Sequence, residues 1–234
     1  MKDKILFAWS GGKDSALALD ELLQNQRFEI SAILTTVTSE YDRISMHGVR
    51  LSLLEKQAES VGLPLEVVYI SRDSSNEQYE EAMTETLERH RGHGVSSVAF
   101  GDIHLKEIRE YRERNMAKIG MECLFPLWGK EVGALVRSFI QKGFKAVVTC
   151  VDTRILDWSL VGRMVDSDFL GALPSGVDPC GENGEYHSFV FDGRLFRRPV
   201  PCETGVMVVR GSFCFCDVVA TGNPDGDNEV AKSL

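Results

Sequence analysis

Ser10-Gly11-Gly12-Lys13-Asp14-Ser15 gathers, within six positions, the groups that hold a phosphate chain. Two adjacent glycines let backbone amides approach an anion with no Cβ in the way. A helix starting directly after them adds unpaired N–H groups and the positive end of its dipole. Ser10 and Ser15 supply hydroxyls and Lys13 a point charge. Asp14 can hold magnesium jointly with phosphates. The spacing is neither G-x-x-x-x-G-K-[ST], the nucleoside-triphosphate P-loop, nor the dinucleotide fingerprint G-x-G-x-x-G. A second dense stretch is Gly181-Glu182-Asn183-Gly184-Glu185-Tyr186-His187. Its carboxylates, amide, phenol and imidazole, set among glycines, fit a site that positions a substrate by hydrogen bonds. A solvated turn before a hairpin fits the same composition. His187 is a candidate general base.

These two stretches need a frame. Ile5 to Trp9 is a short apolar run, the pattern of a buried strand, and Ala16 to Leu23 follows with leucines at helical spacing. Ile30 to Val37, Leu65 to Ile70 and Val95 to Phe100 read as further strands. Val49 to Val61, Asn76 to Arg91 and Leu105 to Ile119 read as the helices between them. Strands alternating with helices predict an α/β fold, a parallel sheet with helices on both faces. Ligands bind at the carboxyl ends of such strands. Ser10–Ser15, Thr35–Val49 and Gly101–His104 should therefore line one crevice. After about Cys123 the pattern changes to loop, helix, strand and short strands reaching Val219. The expected division is 1–124, 125–220, and a disordered polar tail at 221–234.

Single residues in the crevice segments carry two readings each. His47 is a contact to a phosphate or to a second substrate, or a helix-start residue. Asp102 binds a metal or a nucleophile, or caps a helix. Arg112 and Arg114 are solvated helical arginines or partners of an activated phosphate. Trp128 is packing.

Net charge is −9 over 234 residues, which counts against a nucleic-acid substrate. No apolar run approaches the ~20 residues of a membrane span. None of the six cysteines forms a C-x-x-C pair, so structural zinc is not expected. Cys214 and Cys216 read as two small buried thiols. A reduced cytoplasmic protein fits this usage.

The S-G-G-K-D-S pattern directly after a buried strand resembles the PP-loop ATP pyrophosphatases, whose loop holds the β and γ phosphates. Three further stretches sharpen the likeness: P-L-W-G at 126–129, L-V-G-R at 160–163 and G-E-N-G-E-Y-H-S-F-V at 181–190. With them the chain resembles the diphthine–ammonia ligase family as far as about Val219. Departures at Ser45–Val49 and Asp157–Arg163 look like a bacterial branch. The resemblance implies an adenine-nucleotide α-hydrolase domain and a smaller mixed α/β domain carrying the substrate motif. In that family ATP activates the carboxylate of diphthine, a modified histidine on translation elongation factor 2. Ammonia then forms the amide, and AMP and pyrophosphate leave. Carried onto this chain, Ser10 to Ser15 and His47 bind ATP, and Asp14 binds magnesium. Lys13, Asp14, Asp102 and His187 are catalytic, while Glu182, Asn183, Glu185, Tyr186 and His187 hold the acceptor. An acceptor other than diphthine, a small molecule, is open, as is a homodimer. Two rivals share the loop: a tRNA-thiolating enzyme carrying sulfur on Cys150 or Cys180, and a nucleotide sensor without catalysis.

Overall fold

The computed structural model describes residues 2–44 and 48–221. His47 and all of the expected tail after Thr221 lie outside the described residues. The first half runs β1 (Asp3–Ala8), α1 (Lys13–Gln24), β2 (Phe28–Thr38), β3 (Arg43–Ile44), α2 (Leu51–Val61), β4 (Leu65–Ile70), α3 (Asn76–Gly92), β5 (Val95–Ala99), α4 (Lys106–Lys118) and β6 (Glu122–Leu124). Five strands are parallel in the order β4-β2-β1-β5-β6, and β3 adds a short antiparallel pairing to the end of β2. β1 lies where the winding reverses, so its carboxyl end and that of β5 flank the crevice expected of such sheets. β6 joins a sheet that the expected pattern ended at β5. Its three residues, Glu-Cys-Leu, are too few to show alternation.

Local chemistry explains several boundaries. α2 stops at Gly62, whose φ of 80° is left-handed and whose N–H donates to the Ala58 carbonyl. α3 starts in a reciprocal capping box between Ser75 and Gln78. α1 differs: its N-cap is Gly12, which has no side chain of its own to cap it.

The second half supplies α5 (Val132–Gln141), β7 (Lys145–Asp152), a 3₁₀ turn (Trp158–Leu160), α6 (Ser167–Ala172), β8 (Tyr186–Asp192), β9 (Cys202–Arg210) and β10 (Phe213–Ala220). The strands form an antiparallel sheet in the order β8-β7-β10-β9. One apolar core runs from Phe7 on β1 through Leu17 and Leu19 of α1 and Leu54 of α2 to Val148 of β7 and Phe189 of β8. Full burial of each leucine contributes ~1.5–3 kcal/mol. The other face of the first sheet is covered by α3 and α4 around Leu6, Leu87, Phe100 and Met116. Thus α1 sits between the two sheets, and β8 reaches its amino end.

Buried ion pairing adds a tie between β10 and the segment after β2. Asp217 accepts from Arg43 at 2.9 Å and from Arg50 at 2.6 Å, and all three are buried. Burial alone would raise the Asp217 carboxyl, but the two guanidiniums outweigh it and hold its pKa low.

Candidate active site

A cleft of about 310 Å³ opens at the carboxyl ends of β1 and β5. Three stretches supply most of its walls. The loop after β1 gives Ser10, Gly12, Lys13, Asp14 and Ser15. The end of β5 gives Phe100, Gly101 and Asp102. The segment entering β8 gives Gly181, Glu182, Tyr186, His187 and Ser188. Thr35, Thr36 and Ile44 line it from the β2 side.

The glycine loop is held from outside by groups other than its own. Gly11 has φ 74°, and a Cβ there would stand 2.8 Å from Gln57 Oε1. Gln57 of α2 is fully buried. It donates to the Gly11 carbonyl at 3.1 Å and the Val190 carbonyl at 2.5 Å, and accepts from Trp9 Nε1 at 2.8 Å. A Cβ on Gly12 would meet the Ser188 carbonyl oxygen at 3.1 Å, and one on Gly101 would meet the Ser15 nitrogen at 3.1 Å. Side chains at either position would fill the cradle. Ser15 Oγ donates to the Gly12 carbonyl at 2.9 Å, and Ser10 Oγ donates to Ser15 Oγ at 3.1 Å.

Lys13 is buried, with Nζ 2.8 Å from Asp14 Oδ2, bonded to the Cys180 carbonyl, and 4.7 Å from the centre of the Tyr186 ring. Burial alone would disfavour its charge, but the Asp14 carboxylate beside it more than compensates and raises its pKa. Asp14 Oδ1 is shut from solvent and has no hydrogen-bond partner. That orphaned oxygen at the glycine-loop end of the cleft fits a cation. Among the described residues no group of three or more His, Cys, Asp or Glu could hold a metal alone. Magnesium would have to be shared between Asp14 and the phosphates.

Asp102 is paired with Arg112, accepting from Nε at 2.6 Å and Nη2 at 3.2 Å. It does not cap α4, whose N-cap is Leu105. Arg112 lies over the Phe100 ring at 4.3 Å and lines the cleft, while Arg114 is exposed. Glu182 accepts from the Ile103 N–H at 2.8 Å, tying the 181–187 loop to the end of β5. Burial pushes its carboxyl up. His187 is held down to about 4, first by burial and then by the Lys13 charge, so its ring is neutral near pH 7.

Two acceptor candidates are placed elsewhere. Glu185 is buried and accepts from the Asn183 backbone and side-chain amides, both at 3.0 Å, and neither residue lines the cleft. Their polar groups close the loop on itself. Tyr186 is a floor under Lys13, its hydroxyl donating to the Pro179 carbonyl at 2.7 Å. Ser188, whose Oγ accepts from the Lys13 N–H at 3.3 Å, and Gln57 were not anticipated. Gln57 had a signal: it lies on the α2 face of Leu54, Ala58 and Val61, where a polar residue needs a buried partner.

The model of the diphthamide synthase N-terminal domain matches residues 1–123, and that of the C-terminal domain matches 131–218. The chain belongs to the diphthamide synthase family. Among curated relatives of this diphthamide synthase homologue, the diphthine–ammonia ligase of Danio rerio is 27% identical, covering 89% of this chain and 90% of that one. The diphthine–ammonia ligase of Schizosaccharomyces pombe is 27% identical, covering 93% of this chain and 39% of the relative. That of Homo sapiens is 28% identical over 53% of this chain and 48% of the relative. The chain thus spans less than half the length of the last two. Among solved structures it is similar to one described as a predicted subunit of tRNA methyltransferase from Methanocaldococcus jannaschii. That likeness has a TM-score of 0.42 at 17% identity, covering 62% of this chain and 80% of that one.

Proposed function

We propose that this chain is an ATP-dependent ligase that transfers AMP to a carboxylate and forms an amide with ammonia, with diphthine as the acceptor. The observation that carries the reading is the joining of two parts in one cleft. The start of α1, with buried Lys13 and orphaned Asp14 Oδ1, faces His187 of β8 and Glu182 of the loop before it. The named relatives support the acceptor and the amide product.

Backbone amides of the glycine loop and Lys13 hold the departing pyrophosphate. When bound with the triphosphate, magnesium offsets its charge. Asp14 would hold that ion, and the Lys13 ammonium would pair with the phosphates. Arg112, fixed by Asp102, offers a planar fork to charge on the α phosphate or the acceptor. The neutral His187 ring accepts a hydrogen bond from the incoming amine. Glu182 fixes the loop that carries His187, so the acceptor end and the phosphate end keep one spacing.

Burial weakens the thiolation rival, since it pushes Cys150 and Cys180 up to about 12 and leaves little thiolate to carry sulfur. The test is amidation itself. Elongation factor 2 bearing diphthine is incubated with the chain, ATP, magnesium and ammonium chloride, and its modified peptide is weighed by mass spectrometry. Conversion of the acid to the amide, dependent on both ATP and ammonium, is expected. An unchanged acid under conditions where a diphthine–ammonia ligase relative converts it would reject this acceptor.

A further inference from the structure

β9 forms one edge of the second sheet, and among the described residues no strand lies beyond it. Exposed edges are usually blunted by charge, proline or brevity. β9 has nine residues, and its middle, Gly205-Val206-Met207-Val208-Val209, contains neither charge nor proline. Val206 and Met207 are each 51% exposed and Val209 65%. Trp158, 61% exposed, belongs to the segment leading to Gly162, where a Cβ would stand 3.3 Å from the Met207 methyl. Exposed apolar side chains along an unpaired strand edge mark a place where another strand can add.

The strand's only charges, Glu203 and Arg210, stand near its two ends, and both are exposed. In a regular strand, residues seven positions apart point to opposite faces. Here the pairing with β10 shifts. Met207 faces Cys216 and Thr204 faces Val218, so Gly205 and Val206 share the place opposite Asp217. This extra residue brings Glu203, opposite Val219, and Arg210, opposite Phe213, onto the same face.

That geometry makes the edge complementary to itself. A two-fold axis normal to the sheet keeps each side chain on its own face. With the axis through Met207, an antiparallel second β9 sets Glu203 beside Arg210 of the second copy, Thr204 beside Val209, Val206 beside Val208, and Met207 beside Met207. Both charges are matched twice, and every apolar residue meets an apolar residue or a threonine methyl. We propose that the chain forms a two-fold dimer through β9, joining the two four-stranded sheets into one.

The test is a charge swap read by sedimentation equilibrium on the full chain. The unaltered chain should sediment at twice its 26.1 kDa mass. Glu203→Arg or Arg210→Glu alone sets like charges opposite each other and should weaken the dimer by about tenfold. The double variant E203R/R210E should recover most of that loss. Circular dichroism checks that each variant is folded. If a reversal misfolds, Val209→Lys replaces it, with a folded monomer expected. A chain that stays monomeric up to about 0.1 mM would overturn the proposal. So would single reversals that leave the dimer intact, a double variant no tighter than the singles, or a Val209→Lys dimer as tight as the original.

Discussion

Lys13 is an ammonium almost without water, kept charged by one carboxylate and one carbonyl. Such a group costs stability when unpaired and is therefore poised to follow a stronger anion. Lys13→Ala should lower the rate of pyrophosphate release by about a hundredfold or more, the scale of losing one pre-set electrostatic group. Kinetics within a fewfold of the original would remove Lys13 from the phosphate site. His187 gives a pH signature. Its folded pKa, about 4, lies below the ordinary value of 6.5. The neutral ring therefore supports the fold fully above pH 6.5, and that support fades as pH falls toward 4. Unfolding free energies measured by urea titration between those limits should fall less steeply for His187→Gln. Identical slopes would mean that the imidazole is not held neutral by its burial.

At the scale of elements, the cleft depends on close approaches between α1, α2, the end of β5 and β8. Gly101→Ala would press a methyl against the backbone of Asp14 and Ser15, so KM for ATP should rise by about tenfold while the fold persists. An unaltered KM would show that this contact has slack. Gln57→Leu would leave the Trp9 N–H without its acceptor and take one donor from the Val190 carbonyl and from the Gly11 carbonyl, which keeps the Val190 N–H, at about 1–3 kcal/mol for each group truly stranded. A fall in Tm of several degrees is expected, and a variant as heat-stable as the parent would contradict Gln57's part in holding the loop.

Much of this layout was legible beforehand, because β1, β2, β4 and β5 are apolar or β-branched runs and α1 and α2 carry leucines at helical spacing. β6 was not, since three residues carry no period. The bonding of Asn183 to Glu185 was not legible either, because composition shows which groups a loop owns and cannot show how they pair. Their pairing depends on backbone turns at Gly181 and Gly184, both at positive φ.

At the scale of the molecule, two sheets share α1 and one core, and the cleft takes its walls from both halves of the chain. The chain carries a net charge of −9, and the cations Lys13 and Arg112 both line the cleft. No helix among the described residues is long and apolar enough to cross a membrane. The central claim concerns which bond of ATP breaks, and a direct measurement is nucleotide analysis of the reaction by chromatography. With magnesium, ammonium and diphthine-bearing elongation factor 2, the Lys13 cradle predicts AMP and pyrophosphate in equal amounts. ADP and inorganic phosphate as the products would contradict it.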